Sequence, residues 1–362
     1  MIEKVNKIVT TDQMREDVQD YYGRVLDTNK DLKTSACCES SSFPHYLREV
    51  IKNIHPEVLD KFYGCGSPLP LVLKGKKILD LGCGTGRDCY LASQLVGEEG
   101  EIVGIDMTDE QLDVANRHLD FHTQKFGYKK SNVTFVKGFI EEMENLDLAD
   151  NYFDVVISNC VLNLSPQKDR VVEQVYRVLK PGGEFYFSDV YSDRRLPEAF
   201  KEDKVLLGEC LGGALYWNDF ERVARKAGFF DPRVYANRVL DITNKEVAEK
   251  IGVTTFYSTG YRLFKIADLE DDCEDFGHQV KYLGTLSESP DAFILDDHHT
   301  FQKNKIVPVC GNTYKMLNET RFKDHFVFKG DFSEHVGIFN CGPDSDTNNQ
   351  SAMGDCSGPG CC

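Results

Sequence analysis

A glycine-rich turn in the first third of the chain has the residue types that bind a nucleoside. The sequence LDLGCGTG (residues 79–86) places Gly82, Gly84 and Gly86 between an apolar run and a helix-like segment. Glycines permit a tight turn and let the backbone approach a ligand without an intervening Cβ. The next apolar run ends in Asp106, where a carboxylate accepts hydrogen bonds from both hydroxyls of a ribose. Together these residues predict a nucleoside site.

The spacing within this turn separates two kinds of nucleoside ligand. Dinucleotide-binding enzymes carry G-x-G-x-x-G, whose last glycine packs a helix beneath a pyrophosphate. This chain has G-x-G-x-G, preceded by Asp80. That form resembles the first motif of class I methyltransferases, whose donor S-adenosylmethionine has a cationic methionine amine and no phosphate.

Later segments fit the same resemblance, which covers about residues 73–266. The segment Phe139-Ile140-Glu141 follows the third apolar run, where such enzymes hold the adenine, and Asn159 ends the fourth run. The sequence LKPGGEFYFSD opens the fifth run, as it does in many of these folds. The resemblance implies the following donor-binding residues: Asp80, Gly82, Gly84, Gly86, Asp106, Met107, Ile140, Glu141 and Asn159.

Four cysteines lie where the methyl acceptor of such an enzyme would bind. Cys160 directly follows the fourth run, at the carboxyl edge of the sheet where ligands bind. Cys210 ends a helix-like segment, Cys65 lies in the turn YGCG, and Cys37 lies in the polar loop TSACC. None has zinc-finger spacing, so a zinc ribbon is not supported. Separated thiols that converge on folding predict a soft acceptor atom held by soft ligands.

The segments around these cysteines resemble the four cysteine motifs of the arsenite methyltransferases. They read DLKTSAC, FYGCG, SNCVLNLSPQK and GECLGGALYW, in the family's order. The resemblance implies that Cys160 and Cys210 are the principal thiolates for trivalent arsenic and that Cys65 is the third. Cys37 would form and resolve disulfides with them. Cys38 adjoins Cys37; spacing from the preceding threonine favours Cys37, and a role for Cys38 stays open.

The resemblance also implies a mechanism without a general base. Arsenic held by three thiolates keeps a lone pair, so the attacking atom carries no proton, and alignment with the donor methyl supplies much of the rate. Methyl transfer oxidises the arsenic, and thiols return the electrons by forming a disulfide, which glutathione or thioredoxin must reopen. The expected substrates are arsenite, free or as a thiol complex, and then methylarsenite. Tyr63 and Trp217 either screen this site from water or belong to the core.

Two other interpretations explain the same sequence. A methyltransferase for an organic small molecule would carry these cysteines incidentally and would tolerate their replacement. A non-catalytic metalloid-binding protein would retain the fold and bind arsenic or zinc without turning over the donor. The number of methyl groups transferred is not determined by the sequence.

Other residues of reactive type have a structural interpretation. Cys83 fills the glycine turn and Cys89 one face of a helix, so we expect both to pack in the core. His298 and His299 follow two acids in a polar turn, and we expect them to be solvated.

Charge and cysteine usage exclude several classes of partner. The net charge is −17 over 362 residues, and such a surface repels phosphate backbones and anionic lipid. The start of the chain lacks the apolar stretch of a secretory signal. In a reducing compartment the 13 cysteines would be thiols. We therefore expect a cytoplasmic monomer that binds neither nucleic acid nor membrane.

Alternation of strand-like and helix-like segments predicts the α/β class. We expect a doubly wound, mostly parallel Rossmann-like methyltransferase sheet with a small C-terminal α+β domain. The final strands, residues 233–242 and 256–266, would form an antiparallel pair at the sheet edge. Predicted helices cover residues 12–22, 45–62, 86–96, 110–126, 168–179, 198–210 and 218–227.

The same pattern predicts four regions. They are a helical N-terminal segment that contributes acceptor-site cysteines (1–72), the donor-binding domain (73–267), the small domain (268–339) and a tail (340–362). The tail is rich in Gly, Ser and Asn, which predicts disorder. Its cysteines Cys356, Cys361 and Cys362 resemble terminal pairs of some family members, and a role in loading arsenic stays open.

Overall fold

A central sheet organises the chain in a computed structural model that describes residues 10–26, 28, 31–32, 44–64 and 66–340. Its strands are β1 Lys77–Leu81, β2 Glu101–Asp106, β3 Val133–Lys137, β4 Phe153–Asn159, β5 Leu179–Ser192, β6 Leu215–Tyr216, β7 Arg233–Val239 and β8 Phe256–Phe264. The order is β3-β2-β1-β4-β5-β8-β7, and β6 pairs with β5. Strands β1 to β5 pair in parallel, whereas β8 is antiparallel to β5 and to β7. The predicted doubly wound sheet with an antiparallel edge is confirmed.

Helices cover both faces of this sheet. Those within the described residues of the N-terminal segment and the sheet domain are α1 Thr11–Asp20, α2 His45–Val50, α3 Pro56–Asp60, α4 Arg87–Val96, α5 Asp109–Arg117, α6 Leu119–Phe126, α7 Lys168–Val178, α8 Ala199–Glu202, α9 Lys204–Gly208, α10 Trp217–Ala227 and α11 Lys245–Ile251. One apolar layer packs α7 and α10 against the sheet, and the other packs α2, α3 and α4 against its opposite face. Because both faces are covered, the central strands are almost continuously buried, as in β4.

Two helices predicted as continuous are each divided in two. The segment 45–62 breaks before α3, because Pro56 lacks a backbone N–H and clashes with a preceding turn, and it therefore takes the first position of a new helix. The segment 198–210 breaks at Asp203, whose carboxylate accepts hydrogen bonds from the backbone of Val205 and Leu206. This side-chain cap starts α9 afresh.

Two further differences concern the segments around β2 and β8. The predicted helix 110–126 is bent at His118, where φ is −103° and ψ is 8°, so α5 and α6 are separate helices. Helix α11 lies between β7 and β8 and was not predicted. It begins at the cap Asn244, whose side chain accepts from the backbone N–H of Val247.

The C-terminal region is a small β-rich domain with one helix among its described residues. Its elements are β9 Glu274–Asp275, β10 Gln279–Tyr282, β11 Ala292–Ile294, β12 Thr300–Gln302, β13 Ile306–Pro308, α12 Gly311–Asn318, β14 Phe326–Lys329 and β15 Gly337–Ile338. Buried Glu184 of β5 pairs with Arg262 of β8 and with Arg321, which follows α12. The Glu184–Arg321 pair attaches the domain to the sheet.

The prediction that the two adjacent histidines of this domain are solvated is correct for His298 and wrong for His299. His298 is exposed, but the side chain of His299 is only 12% exposed. Its Nδ1 lies 2.7 Å from the buried carboxylate of Asp296, which in turn pairs with Arg233. The polar turn therefore contributes Asp296 and His299 to a buried charged network with Arg233.

Candidate active site

A cavity opens at the carboxyl ends of β1, β2 and β4, the edge at which open α/β sheets bind ligands. Every predicted donor residue except Gly86 lines it. Gly86 lies behind the turn with φ of 82°, and a Cβ there would come within 2.5 Å of the Phe135 ring. The glycine at this position therefore allows the turn to pack against β3.

Asp106 joins the nucleoside turn to the start of α5. Its Oδ2 accepts a hydrogen bond from the backbone N–H of Gly84 at 2.8 Å, and its Oδ1 accepts from that of Thr108 at 2.8 Å. Each oxygen keeps a further lone pair that can accept from a ribose hydroxyl. Burial raises the pKa of Asp106, although the backbone donors oppose that shift. The carboxylate is thus fixed in place before any ligand binds.

Asp80 and Asn159 form the floor of the cavity. The Asp80 carboxylate is 2% exposed and accepts a hydrogen bond from the Cys89 thiol at 3.2 Å. Burial, followed by the charge of Asp88, holds its pKa well above the ordinary range. Asn159 donates from Nδ2 to Asp88 at 2.9 Å and to the carbonyl of Gly66 at 3.2 Å.

Acidic groups outnumber basic groups in the lining. The carboxyl groups are Asp80, Asp88, Asp106 and Glu141, and the basic side chains are Arg15 and Lys61. Such a wall repels a pyrophosphate and attracts a cation. The lining therefore fits S-adenosylmethionine, which carries a sulfonium and an ammonium group, better than a dinucleotide.

Helix α1 supplies a residue that the sequence did not reveal. The Arg15 guanidinium donates to Oε1 of Glu141 at 2.7 and 2.9 Å and lies 3.9 Å from the centre of the Phe139 ring. Glu141 is 3% exposed, and its Oε2 accepts from Ser165 at 3.1 Å. Arg15 thus joins the N-terminal segment to the loop expected to hold the adenine.

Gln111 is a second residue that the sequence analysis missed. It lines the cavity on α5, and its Nε2 donates to the carbonyl of Tyr22 at 2.9 Å. Its Oε1 is buried and has no hydrogen-bond partner among the residues that the structure describes. Buried acceptors without partners are costly, so this oxygen fits a donor group of the bound nucleoside.

Cys210 contacts Cys160, which lines the same cavity. The Cys210 thiol is fully buried and donates to the carbonyl oxygen of Cys160 at 3.2 Å. The Tyr22 hydroxyl donates to the carbonyl of Gly208 at 2.7 Å and lies 3.9 Å from the Cys210 sulfur. Cys160 lines the cavity and is disulfide-bonded in this structure, whereas Cys210 is a free thiol.

Both cysteines have a backbone conformation that side chains rarely adopt. Their φ angles are 58° for Cys160 and 61° for Cys210. Non-glycine residues in this region are strained, and such strain concentrates at functional sites, where the surrounding structure maintains it. The strained backbone conformation therefore sets the direction in which each cysteine side chain leaves the chain.

The remaining predicted thiols, Cys37, Cys38 and Cys65, lie outside the described residues, as do the tail cysteines. The chain on either side of residue 65 reaches the site, since Gly64 lines the cavity and the Gly66 carbonyl accepts from Arg87. Tyr63 also lines the cavity. Trp217 packs in the main core and is not part of this lining.

Cys83 and Cys89 are buried as expected, with exposures of 7% and 0%. Cys83 also lines the cavity. No helix among the described residues is long and apolar enough to cross a membrane.

Comparisons with known proteins agree with this geometry. Residues 73–228 match a methyltransferase domain family, and residues 276–362 match the arsenite methyltransferase C-terminal domain family. The chain is 54% identical over 341 residues to the arsenite methyltransferase of Aquipseudomonas alcaligenes, covering 94% of this chain and 98% of that protein. It is 45% identical to the arsenite methyltransferase of Mus musculus, covering 88% and 84%.

A solved structure extends the similarity to the whole architecture. The X-ray structure of an arsenic(III) S-adenosylmethionine methyltransferase from Chlamydomonas reinhardtii aligns with a TM-score of 0.80 and 48% identity. The alignment covers 83% of this chain and all of that one. With the curated relatives, this places the chain in the arsenite methyltransferase family.

Proposed function

We propose that the chain transfers methyl groups from S-adenosylmethionine to trivalent arsenic held by the thiolates of Cys160, Cys210 and Cys65. The observation that carries this proposal is the contact of Cys210 with Cys160, both with strained backbone, where Cys160 lines the donor cavity. Sulfur ligands suit a soft atom such as arsenic. Arsenite and then methylarsenite are the substrates.

Donor binding rests on the turn and the strand ends. Asp106 would accept from the ribose hydroxyls, and Ile140 and Glu141 would flank the adenine. Asp80 would face the methionine ammonium, and Gly82, Gly84 and Gly86 keep the turn tight. Asn159 and Met107 complete the wall in this proposal. When bound, S-adenosylmethionine supplies an electrophilic methyl group on a sulfonium.

The chain's own residues hold the arsenic lone pair in line with that methyl group. The arsenic–carbon bond forms from the lone pair as the carbon–sulfonium bond breaks, and the departing sulfur keeps the bonding electrons. Arsenic is formally oxidised by two electrons. Two thiolates return these electrons as they join in a disulfide, and Cys37 is the proposed partner in that step.

An external thiol reductant, glutathione or thioredoxin, would reopen the disulfide. That Cys160 is disulfide-bonded in this structure while Cys210 is a free thiol supports a redox role for Cys160. The chain would act as a monomer. No residue needs to act as a general base, since no proton leaves the arsenic.

The test is mass spectrometry of arsenite incubated with the protein, S-adenosylmethionine and glutathione or reduced thioredoxin. The expected products are methylated arsenicals, formed with one S-adenosylhomocysteine per methyl group. Donor turnover without methylated arsenic would favour an organic acceptor. Arsenic binding without donor turnover would indicate a metalloid-binding protein that is not an enzyme.

A further inference from the structure

Two thiols outside the acceptor site lie side by side at the nucleoside turn. The sulfur atoms of Cys89 and Cys83 lie 2.7 and 2.9 Å from the point that a Cβ on Gly104 would occupy. Because both distances are measured to the same point, the two sulfur atoms are near neighbours, and both are free thiols. The pair is therefore close enough for one atom to bridge, and Gly104 leaves the space that the two sulfurs share free of a side chain.

One member of this pair can be reached from the donor cavity. Cys83 lies between Gly82 and Gly84 and lines the cavity wall with 7% exposure. Cys89 is fully buried on α4 behind it, and its thiol donates to Asp80 at 3.2 Å. A small ligand that enters the empty cavity thus meets Cys83 first and Cys89 next.

We propose that Cys83 and Cys89 form a second site for trivalent arsenic and that this site and the methyl donor exclude one another. Arsenite is a small neutral hydroxide, and soft sulfur ligands displace its hydroxyl groups. Two thiols condense with one arsenous acid, so that two sulfur–arsenic bonds replace two arsenic–oxygen bonds. The two thiol protons leave with those oxygens as two molecules of water, one hydroxyl stays on the arsenic, and no atom changes oxidation state.

Burial decides which reaction these thiols can undergo. It raises the pKa of Cys83 to about 11 and that of Cys89 well above its usual value, so both remain protonated near neutral pH. Protonated thiols are poor nucleophiles. Cys83 therefore resists methylation by a donor bound in the cavity that it lines. Condensation with arsenous acid creates no charge, so burial does not oppose its product.

Occupation of this pair would disturb the donor site in two ways. Arsenic on Cys89 removes the thiol hydrogen that Asp80 now accepts, which leaves a buried carboxyl group without that donor. Arsenic on Cys83 adds bulk between the two glycines of the turn. By linkage, bound donor must weaken arsenic binding at the pair by the same factor.

The test measures arsenic content and donor affinity on the full chain, with arsenite and S-adenosylhomocysteine as the probes. Without S-adenosylhomocysteine, the unmodified protein should hold one more arsenic per chain than Cys83→Ser or Cys89→Ser. With saturating S-adenosylhomocysteine this difference should vanish. Arsenite should weaken S-adenosylhomocysteine binding about tenfold more in the unmodified protein than in either variant, a coupling of ordinary size.

Cys310→Ser is the matched control, because Cys310 is a buried cysteine that caps α12 and serine caps helices well. Its arsenic content should equal that of the unmodified protein. Equal arsenic content in Cys83→Ser, Cys89→Ser and the unmodified protein would overturn the proposal. So would an equal loss in Cys310→Ser, or donor affinity that arsenite lowers equally in all proteins. Both readouts are binding measurements, so they stand apart from methyl transfer.

Discussion

The two ends of the cavity are built in different ways. At the donor end, Asp80, Asp106 and Asn159 each belong to the carboxyl end of a parallel strand, and backbone or side-chain partners already hold them. At the acceptor end, Cys160 and Cys210 stand just beyond a strand and a helix with positive φ angles. The donor end uses the ordinary geometry of the fold, whereas the acceptor end uses strained backbone.

This difference determines where substitutions should be tolerated. Donor residues each provide one or two hydrogen bonds among several, so losing one residue should weaken binding by a limited factor. Sulfur ligands of arsenic have no such redundancy, because the number of bonds that arsenic can make is small. Substitutions should therefore have their largest effects at the acceptor end and smaller effects at the donor end.

The largest effect should come from Cys160→Ser and Cys210→Ser. Inorganic arsenite offers three positions to thiolates, but methylarsenite offers only two, so the two thiols that meet at the sheet edge are needed in every round. A hard hydroxyl is a poor ligand for arsenic. Both variants should lose activity on both substrates, as measured by transfer of labelled methyl groups to arsenite and to methylarsenite.

The N-terminal thiols provide the contrast within this experiment. Cys65→Ser and Cys37→Ser should lose arsenite methylation but keep methylarsenite methylation when external thiol is present. If Cys37→Ser and Cys160→Ser lose both activities equally, the valence argument fails. If all four variants keep arsenite activity, the arsenic site has been placed wrongly.

The next largest effect is expected at the donor end, for Asp106→Ala. Removing the charged acceptor of two ribose hydroxyls should cost roughly 1.5–3 kcal/mol of donor binding. Arsenite binding at Cys160 and Cys210 should stay nearly unchanged, since the hydrogen bonds of Asp106 go to the backbone of Gly84 and Thr108. Titrations with donor and with arsenite separate the two effects, and unchanged donor affinity would refute the assignment.

Asp109→Ala is a suitable control for this variant. Asp109 carries the same charge at the start of α5, but it is exposed and pairs with Lys137 on the surface. Surface pairs of this kind contribute little. Donor affinity should therefore be unaltered.

A smaller effect is expected for Arg15→Gln. The Arg15 guanidinium neutralises Glu141 and attaches α1 to the adenine loop, but Glu141 keeps its hydrogen bond from Ser165. We expect a rise in the donor KM of about three- to tenfold, the range of one net hydrogen bond, with kcat little changed. Steady-state kinetics over donor concentration provide the measurement, and a fall in kcat at constant KM would assign Arg15 to another step.

The contrast between the two ends also explains which site residues could be predicted from the sequence. The glycine turn and the strand-end acids were predictable, because the carboxyl ends of adjacent parallel strands must share one edge. The thiol set came from resemblance to a family. Nothing in the local sequence signals a positive φ at Cys160 or Cys210, since only the folded surroundings impose it.

Residues that reach the cavity from other elements could not be read from the sequence. Arg15 lies on a helix whose position against the sheet depends on long-range packing, and Gln111 occupies an ordinary helical position on α5. The division of helices was more accessible, since Pro56 and Asp203 are both recognisable signals for a helix start. Arg15 and Glu141 are 126 residues apart in the chain, so no local sequence pattern could predict that their side chains are partners.

The smallest effect is expected for a chain that ends before Cys341. The removed sequence, CGPDSDTNNQSAMGDCSGPGCC, has few large apolar groups and cannot bury a core. The truncated protein should therefore unfold at the same temperature, within error, and methylate saturating arsenite at the same rate as the full chain. If its cysteines load arsenic, the difference should appear only as slower methylation at low arsenite. Replacing Cys356, Cys361 and Cys362 by serine in the full chain distinguishes loss of thiols from loss of chain length. A truncated protein that melts at a clearly lower temperature would show that this segment contributes to the fold, and the contrast between a structured cavity and a dispensable tail would then be wrong.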